Sequence, residues 1–303
     1  MQLTSCTKDT LNLWAPDASS RGAPYLRDTC MHLLTLLNGR PHLGLEDIES
    51  VALMDRYDSK FLVPEHWLSH TLTQLKNHAV LAIANTVSTT YRNLYFDSPD
   101  NVCVRQHVRG KTSRFKVRIR HYANTKVTFL EVKMRDVYGK TAKHRVVRGA
   151  STWDAPLNDA ERQFLHLHLG DVASTLSPVL ESRFERFTLV DLKEGERLTF
   201  DLGVAFKNPG SEEDWKAPLA HVSVVEWKQN SVNHQGSLIQ ALRSHPERRG
   251  PLGRPLRMSK YLLGRQTLQP DLDFKTYRPA LRDMSRAESL AANPTFAPQS
   301  ILR

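Results

Sequence analysis

The sequence predicts an α+β fold built on a closed antiparallel β-barrel of about eight strands, a tunnel with a polar, cationic lumen and helices packed outside. Three observations predict it. Strand-like runs alternate apolar and charged residues, as in "RFKVRIRHY", where Arg114, Lys116, Arg118 and Arg120 share one face and Phe115, Val117 and Ile119 the other. The strands come in hairpin-like succession with helices inserted between them, an antiparallel order. The charge is one-sided: between Cys103 and Leu130 there is no acidic residue, only Arg105, Arg109, Lys111, Arg114, Lys116, Arg118, Arg120 and Lys126 among the charges. Such a row repels itself unless an anion compensates it, and closing the sheet gathers it around one ligand.

Each element has its own signal. Residues 1–50 form an N-terminal extension, the loop "APDASSRGAP" followed by a helix in "YLRDTCMHLLTLLNG" that ends at Asn38-Gly39. "DRYDSKFLV" is a strand with Arg56, Asp58 and Lys60 on one face. "PEHWLSHTLTQLKNH" is a helix, with Pro64 in its first turn and an apolar stripe of Trp67, Leu68, Leu72 and Leu75. "TTYRNLYFDSPD" is a strand stopped by a turn, followed by Arg114–Tyr122, "TFLEVKMRD" and "KTAKHRVVRG". "LNDAERQFLHLHLGDV" is a helix capped by Asn158 or Asp159. "ESRFERFTLVDLKEGERLTFDLGVAF" is a hairpin with "KEGE" at its tip. "HVSVVEWKQN" is a strand and "QGSLIQALRSH" a short helix; "PERRGPLGRP" is a loop, and the chain closes with "MSKYLLG" and a tail. One domain spans 51–282, and 283–303 is a C-terminal tail.

The 303 residues carry a formal net charge of +10 and 40% hydrophobic content, enough for a core and suited to anionic partners. Cys6, Cys30 and Cys103 are far apart and match no metal or disulfide spacing. With no signal-type run and nothing near the ~20 apolar residues of a membrane span, the expectation is a cytoplasmic protein with no transmembrane segment. No G-x-x-x-x-G-K-[ST] is present, so a nucleotide would not be held in P-loop fashion.

The polar strand faces collect Lys60, Arg118, Arg120, Glu131 with Lys133 and Arg135, Lys143 with Arg145, Arg197 with Asp201, and Glu226 with Lys228. A charged strand face is ordinarily a solvated face. Its recurrence here, with "E-x-K" twice deep in strands, suits an enclosed phosphate site instead: lysine and arginine donate to phosphate oxygens, and carboxylates hold a divalent cation that bridges them.

These pieces resemble the VTC-type polyphosphate polymerase domain, within the triphosphate tunnel (CYTH-like) superfamily, over about residues 51–282. The matching segments are "RYDSKF", "YFDSPD", "KVRIRHY", "FLEVKMRDVYGKTAKHR", "RFERFTLVD", "ERLTFDLGV", "VVEWK" and "MSKY". The resemblance implies transfer of the γ-phosphoryl of ATP onto a polyphosphate chain, assisted by Mn2+ or Mg2+. It implies phosphate contacts from Lys60, Arg118, Arg120, Lys133, Lys143, Arg186, Arg197, Lys228 and Lys260, with Arg56 and Arg145 as further members. Lys60, Arg118, Arg120 and Glu226 would be catalytic, and Glu226 the principal metal ligand, supported by Glu131 and Asp201. Phe184 stands where the family more often has Tyr. The run Arg56-x-Asp58-x-Lys60 has fewer carboxylates than the E-x-E-x-K of hydrolytic relatives. The membrane domains of yeast-type members are absent from this sequence, which makes a membrane-protein partner an expectation of the resemblance.

A tunnel triphosphatase or polyphosphatase, or a non-catalytic polyphosphate or inositol-phosphate binding module, are the alternatives. Nucleic acid is disfavoured as a partner, because Tyr122 is the one aromatic on the cationic strand suited to base stacking. His166 and His168 point apart on a helix, and Cys103 reads as a buried structural thiol.

Overall fold

The computed structural model describes residues 32–48, 57–149, 152–230, 233 and 235–294. Arg56, Cys6, Cys30 and the first part of the predicted N-terminal helix lie outside the described residues; 32–38 (α1) are helical. Strands are β1 (His42–Leu43), β2 (Tyr57–Pro64), β3 (Ala79–Leu81), β4 (Ser88–Asp97), β5 (Arg114–Tyr122), β6 (Val127–Arg135), β7 (Thr141–Val147), β8 (Ser177–Asp191), β9 (Glu196–Lys207) and β10 (Val222–Gln229). Further helices are α2 (Leu68–Gln74), α3 (Val102–Val108), α4 (Asp159–Leu169), α5 (Ser237–Arg243), α6 (Lys260–Leu268) and α7 (Arg278–Ala292).

One sheet in the order β2-β10-β9-β8-β4-β5-β6-β7 runs antiparallel throughout this path, and β3 and β1 add to β8 off it. The predicted closed barrel is corrected here: β2 and β7 are edges and do not pair. The reason lies in β2's outer edge. Leu256 N donates to Lys60 O at 2.9 Å, Gly253 N donates to Leu62 O at 3.1 Å, and Phe61 bridges Pro255. The backbone groups a closing strand would need are already satisfied by the segment read from sequence as a plain loop. A Pro on this strand-like cover suits an edge position. β7 stays exposed along nearly its whole length.

The sheet nonetheless curls. In a flat sheet β2 and β5, five places apart, would lie roughly 24 Å from each other. Yet Lys60 Nζ donates to Met258 O at 3.3 Å and Lys116 Nζ reaches the adjacent Ser259 Oγ at 3.1 Å. Part of the curl comes from the long β8–β9 pair, whose register shifts between Arg183 and Glu185. Gly203 sits opposite with φ +58, a left-handed conformation that a side chain resists.

Outside the curl, Phe61, Trp227, Phe200 and Phe187 belong to one apolar cluster with Trp67, Leu72, Leu242 and Met284. Leu94, Val117, Ile119, Leu130 and Val132 form a second with Leu165 of α4. Leu33 and Leu37 join the first cluster, so α1 packs on the domain. Helix α4 starts with a capping box, Asn158 accepting from Glu161 N and the Glu161 carboxylate accepting from Asn158 N. Three other helix ends are held by arginines: Arg40 on Leu75 O and His78 O after α2, Arg257 on His107 O and Val108 O at α3, and Arg249 on Asn293 O after α7. Helix α7 runs through residue 282, where the sequence reading ends the domain, and contacts β2 and β10.

Candidate functional site

The inner face of the curl is a channel whose residue pairing follows from strand register. Glu226 stands opposite Lys60 on one side and Thr199 on the other; Lys228 opposes Asp58 and Arg197. Arg118 opposes Glu131, which opposes Arg145, and Lys116 opposes Lys133, which opposes Lys143. Arg186 opposes Asp201. Because side chains alternate, these register pairs put the predicted cations on one surface.

Two carboxylates inside the channel serve as counter-ions. Asp201 is fully buried and binds Arg186 in a two-pronged pair, Nε to Oδ1 at 2.5 Å and Nη2 to Oδ2 at 2.7 Å, while Lys260 also pairs with Oδ2. Glu131 accepts from Arg118 Nε at 2.8 Å, pairs with Lys143 Nζ at 2.5 Å, and has Arg120 Nε 3.9 Å away. Arg120 is also fixed by Asn93 Oδ1 at 2.9 Å, and Arg118 by the Tyr95 hydroxyl at 3.4 Å. Glu226 is less engaged: Lys228 Nζ lies 3.5 Å from its Oε1.

The electrostatics record a surplus of positive charge. Burial pushes the Glu226 carboxyl up, but Lys228, Lys60, Arg186 and Lys260 outweigh it and hold the group far below the usual carboxylate range. Glu131 is drawn down to about 2: burial opposes ionisation, and Arg118, Arg120 and Lys143 overcome it. Lys116 is pushed well below an ordinary lysine, first by burial and then by Lys60, Lys133, Arg118 and Arg114. Lys260 is lowered by burial even with Asp201 beside it. A site in which half-buried lysines are this short of negative charge is arranged for an anion.

One end of the channel is closed. Helix α6 lies on the inner face of β8 and β9 there, so tightly that a Cβ on Gly264 would come within 2.5 Å of Phe206 and 2.8 Å of Leu180. Its first turn faces the channel: Ser259 is the N-cap and Lys260 reaches Asp201. Asp97 of "YFDSPD" locks this arrangement, accepting from Cys103 N at 2.8 Å, Val104 N at 3.2 Å and the Tyr261 hydroxyl at 2.6 Å.

The sequence of these features meets a known family. Residues 55–269 match the family model of the VTC domain. This chain belongs to the VTC domain family. Membership supports a role in polyphosphate or triphosphate chemistry. No curated protein matches the chain. Among solved structures, a candidate adenylate cyclase from Bacillus halodurans is 16% identical, covering 57% of this chain and 80% of its own, with a TM-score of 0.37. A conserved hypothetical protein from Pyrococcus furiosus is 14% identical, covering 69% of this chain and 99% of its own, TM-score 0.36. A candidate adenylyl cyclase from Hippeastrum, described as having a dominant triphosphatase activity, is 10% identical over 58% of this chain and 80% of its own, TM-score 0.34.

Of the predicted VTC site residues, Lys60, Arg118, Arg120, Lys133, Lys143, Arg186, Arg197, Lys228, Lys260, Glu131, Asp201 and Glu226 line this one channel. Arg145 stands at its exposed margin, over the Phe129 ring at 4.6 Å. The prediction left out Lys116, Asn93, Tyr95 and Ser259. Lys116 was visible as the first alternate residue before Arg118; Asn93 and Tyr95 carry no charge signal, and Ser259 gains its place from α6.

Glu226 fits a divalent cation, with an oxygen not taken by a close ion pair. Asp201 has both oxygens committed to Arg186 and Lys260, and Glu131 is shared by Arg118 and Lys143, so each fits a counter-ion better than a metal ligand. A different group of metal-ligating type, His78, Asp191 and Glu196, is buried on the outer side of the sheet. Glu196 there accepts from His78 at 2.9 Å, Trp227 Nε1 at 2.6 Å and Ser237 at 3.1 Å, which makes it a hydrogen-bond hub. Among the described residues no helix is long and apolar enough to cross a membrane.

Proposed function

We propose that the channel is the active site of an ATP-dependent polyphosphate polymerase. The reading rests on family membership together with one observation: half-buried Lys60 and Lys116 and the exposed Lys133 crowd their charges together, so that Lys116 is held well below an ordinary lysine, beside the sparsely engaged Glu226. Phosphoryl transfer requires positioning and neutralisation of oxygens more than a strong base. Lys60, Arg118, Arg120, Arg186 and Lys260 would bind the triphosphate oxygens. On ligand entry the phosphates would compete with Asp201 and Glu131 for their cations, so the site is held open by its own counter-ions until substrate replaces them. Glu226 would hold Mn2+ or Mg2+, which supplies charge neutralisation at the transferring phosphoryl. Lys133, Lys143 and Arg145 continue the cationic row to the free β7 edge, a track suited to a linear polyanion.

Purified protein given ATP and Mn2+ is expected to yield ADP and chain-length-resolved polyphosphate on a gel. Free phosphate as the sole phosphorus product would replace this reading with a triphosphatase. Tight polyphosphate binding without turnover, unchanged by Glu226→Ala, would make the protein a binding module.

A further inference from the structure

We propose that the channel has a nucleoside end, where a nucleobase stacks on the rim formed by Tyr122 and Phe129 while the triphosphate points inward to Lys116 and Ser259. This rests on the reading of the channel as a nucleoside-triphosphate site.

The rings collect at one end. Tyr91 is in register with Tyr122 on β5 and with Phe184 on β8, and Phe129 with Arg120, all at the end of the sheet carrying the β5–β6 and β8–β9 turns. Tyr91 stacks on Phe184 at 5.2 Å and 12°, and meets Tyr122 at 4.9 Å and 59°; Tyr122 meets Phe129 edge-on at 6.0 Å. The inner rings, Tyr91 and Phe184, are buried and spent on cations: Arg120 lies 5.1 Å and Arg186 4.8 Å from the Tyr91 centroid, and Lys260 4.9 Å from Phe184. The outer rings, Tyr122 and Phe129, are half-exposed; Arg145 lies over Phe129 at 4.6 Å, so Tyr122 is the main stacking surface and Phe129 its edge-on support.

The opposite end has no room for a base, because α6 seals it with Gly264 against Leu180 and Phe206. That leaves a nucleotide one orientation: base at the aromatic rim, phosphates toward the lysines. The spacing suits it. Two residues along β5 separate Tyr122 from Arg120, an advance of about 7 Å, which leaves space for a sugar between ring and first phosphate contact. Every base has a π-face, so such a rim separates nucleotides from inorganic phosphates and discriminates weakly among bases.

The test is calorimetric titration of wild type, Tyr122→Ala, Tyr122→Phe and Phe129→Leu with a non-hydrolysable ATP analogue and with inorganic tripolyphosphate. Tyr122→Ala is expected to weaken the nucleotide about tenfold and leave tripolyphosphate unchanged. Tyr122→Phe should keep both affinities, and Phe129→Leu should weaken the nucleotide alone, to a smaller extent. Equal losses for the two ligands, or no loss for either, in the folded variants would overturn the rim assignment while the phosphate site stands. Wild-type protein that binds neither ligand would overturn the proposed function and this inference with it.

Discussion

Glu131 in the channel and Glu65 at the end of β2 are both withdrawn from water, yet they titrate in opposite directions. Burial penalises the charged form in each case. In the channel Arg118, Arg120 and Lys143 reverse that penalty and bring Glu131 to about 2. At Glu65 burial raises the group to about 7, the acid Glu288 of α7 adds to it, and a backbone hydrogen bond from Gly203 offsets only part of the rise. Burial alone therefore decides nothing about an acid in this fold; the neighbours that the sheet curl brings together do.

The largest effect should come from removing the most enclosed counter-ion. Asp201→Ala strands Arg186 and Lys260 without their partner, and breaking a buried pair this way costs about 3–5 kcal/mol. Urea unfolding should show it; a loss below about 1 kcal/mol would mean that solvent, not Asp201, balances those cations. Next, Glu226→Gln should lower metal-dependent turnover at least about 100-fold and lower the melting temperature by less than Asp201→Ala does, because Lys228, Lys60, Arg186 and Lys260 lose a counter-charge but no close ion pair. Activity that survives this change would remove Glu226 from the site.

Acid titration sharpens the comparison directly. The folded Glu131 binds its proton less readily than the unfolded one, so its stabilisation is present above about 4.5 and is lost as pH falls toward about 2. Glu65 has the opposite sign: its contribution is full below about 4.5 and is lost as pH rises toward about 7. Stability measured from pH 2 to 8 should show a weaker acid-side decline in Glu131→Gln and a weaker neutral-side decline in Glu65→Gln. Matching slopes in both variants would end the contrast. The smallest effect is expected for Lys143→Ala. Its side chain is 42% exposed, and an ion pair so open to water contributes under about 1 kcal/mol.

Much of the fold was legible because strand alternation is a local property. Arg118 and Arg120 must share a face, as must Glu226 and Lys228, whatever the rest of the chain does. Helix α4 announced itself through its cap candidates, of which the structure uses Asn158. Helix α3 did not: its start depends on Asp97 accepting backbone N–H groups, not on a cap side chain of its own. Helix α7 read as a tail because its buried stripe includes the small residues Ala280, Ala287 and Ala291. "PERRGPLGRP" read only as a loop; its Arg249, and Arg257 just beyond it, hold helix ends distant in sequence.

The amino-acid order by itself determined which charges share a face, and with them the phosphate-seeking character of the protein, since a two-residue period needs no knowledge of distant contacts. Only the tertiary structure decided that β2 takes residues 253–256 in place of β7, that α6 blocks one end, and that Asp201 and Glu131 are spent on cations. These depend on curvature summed over eight strands and on competition between segments for the same backbone groups, energies that no local window of sequence contains.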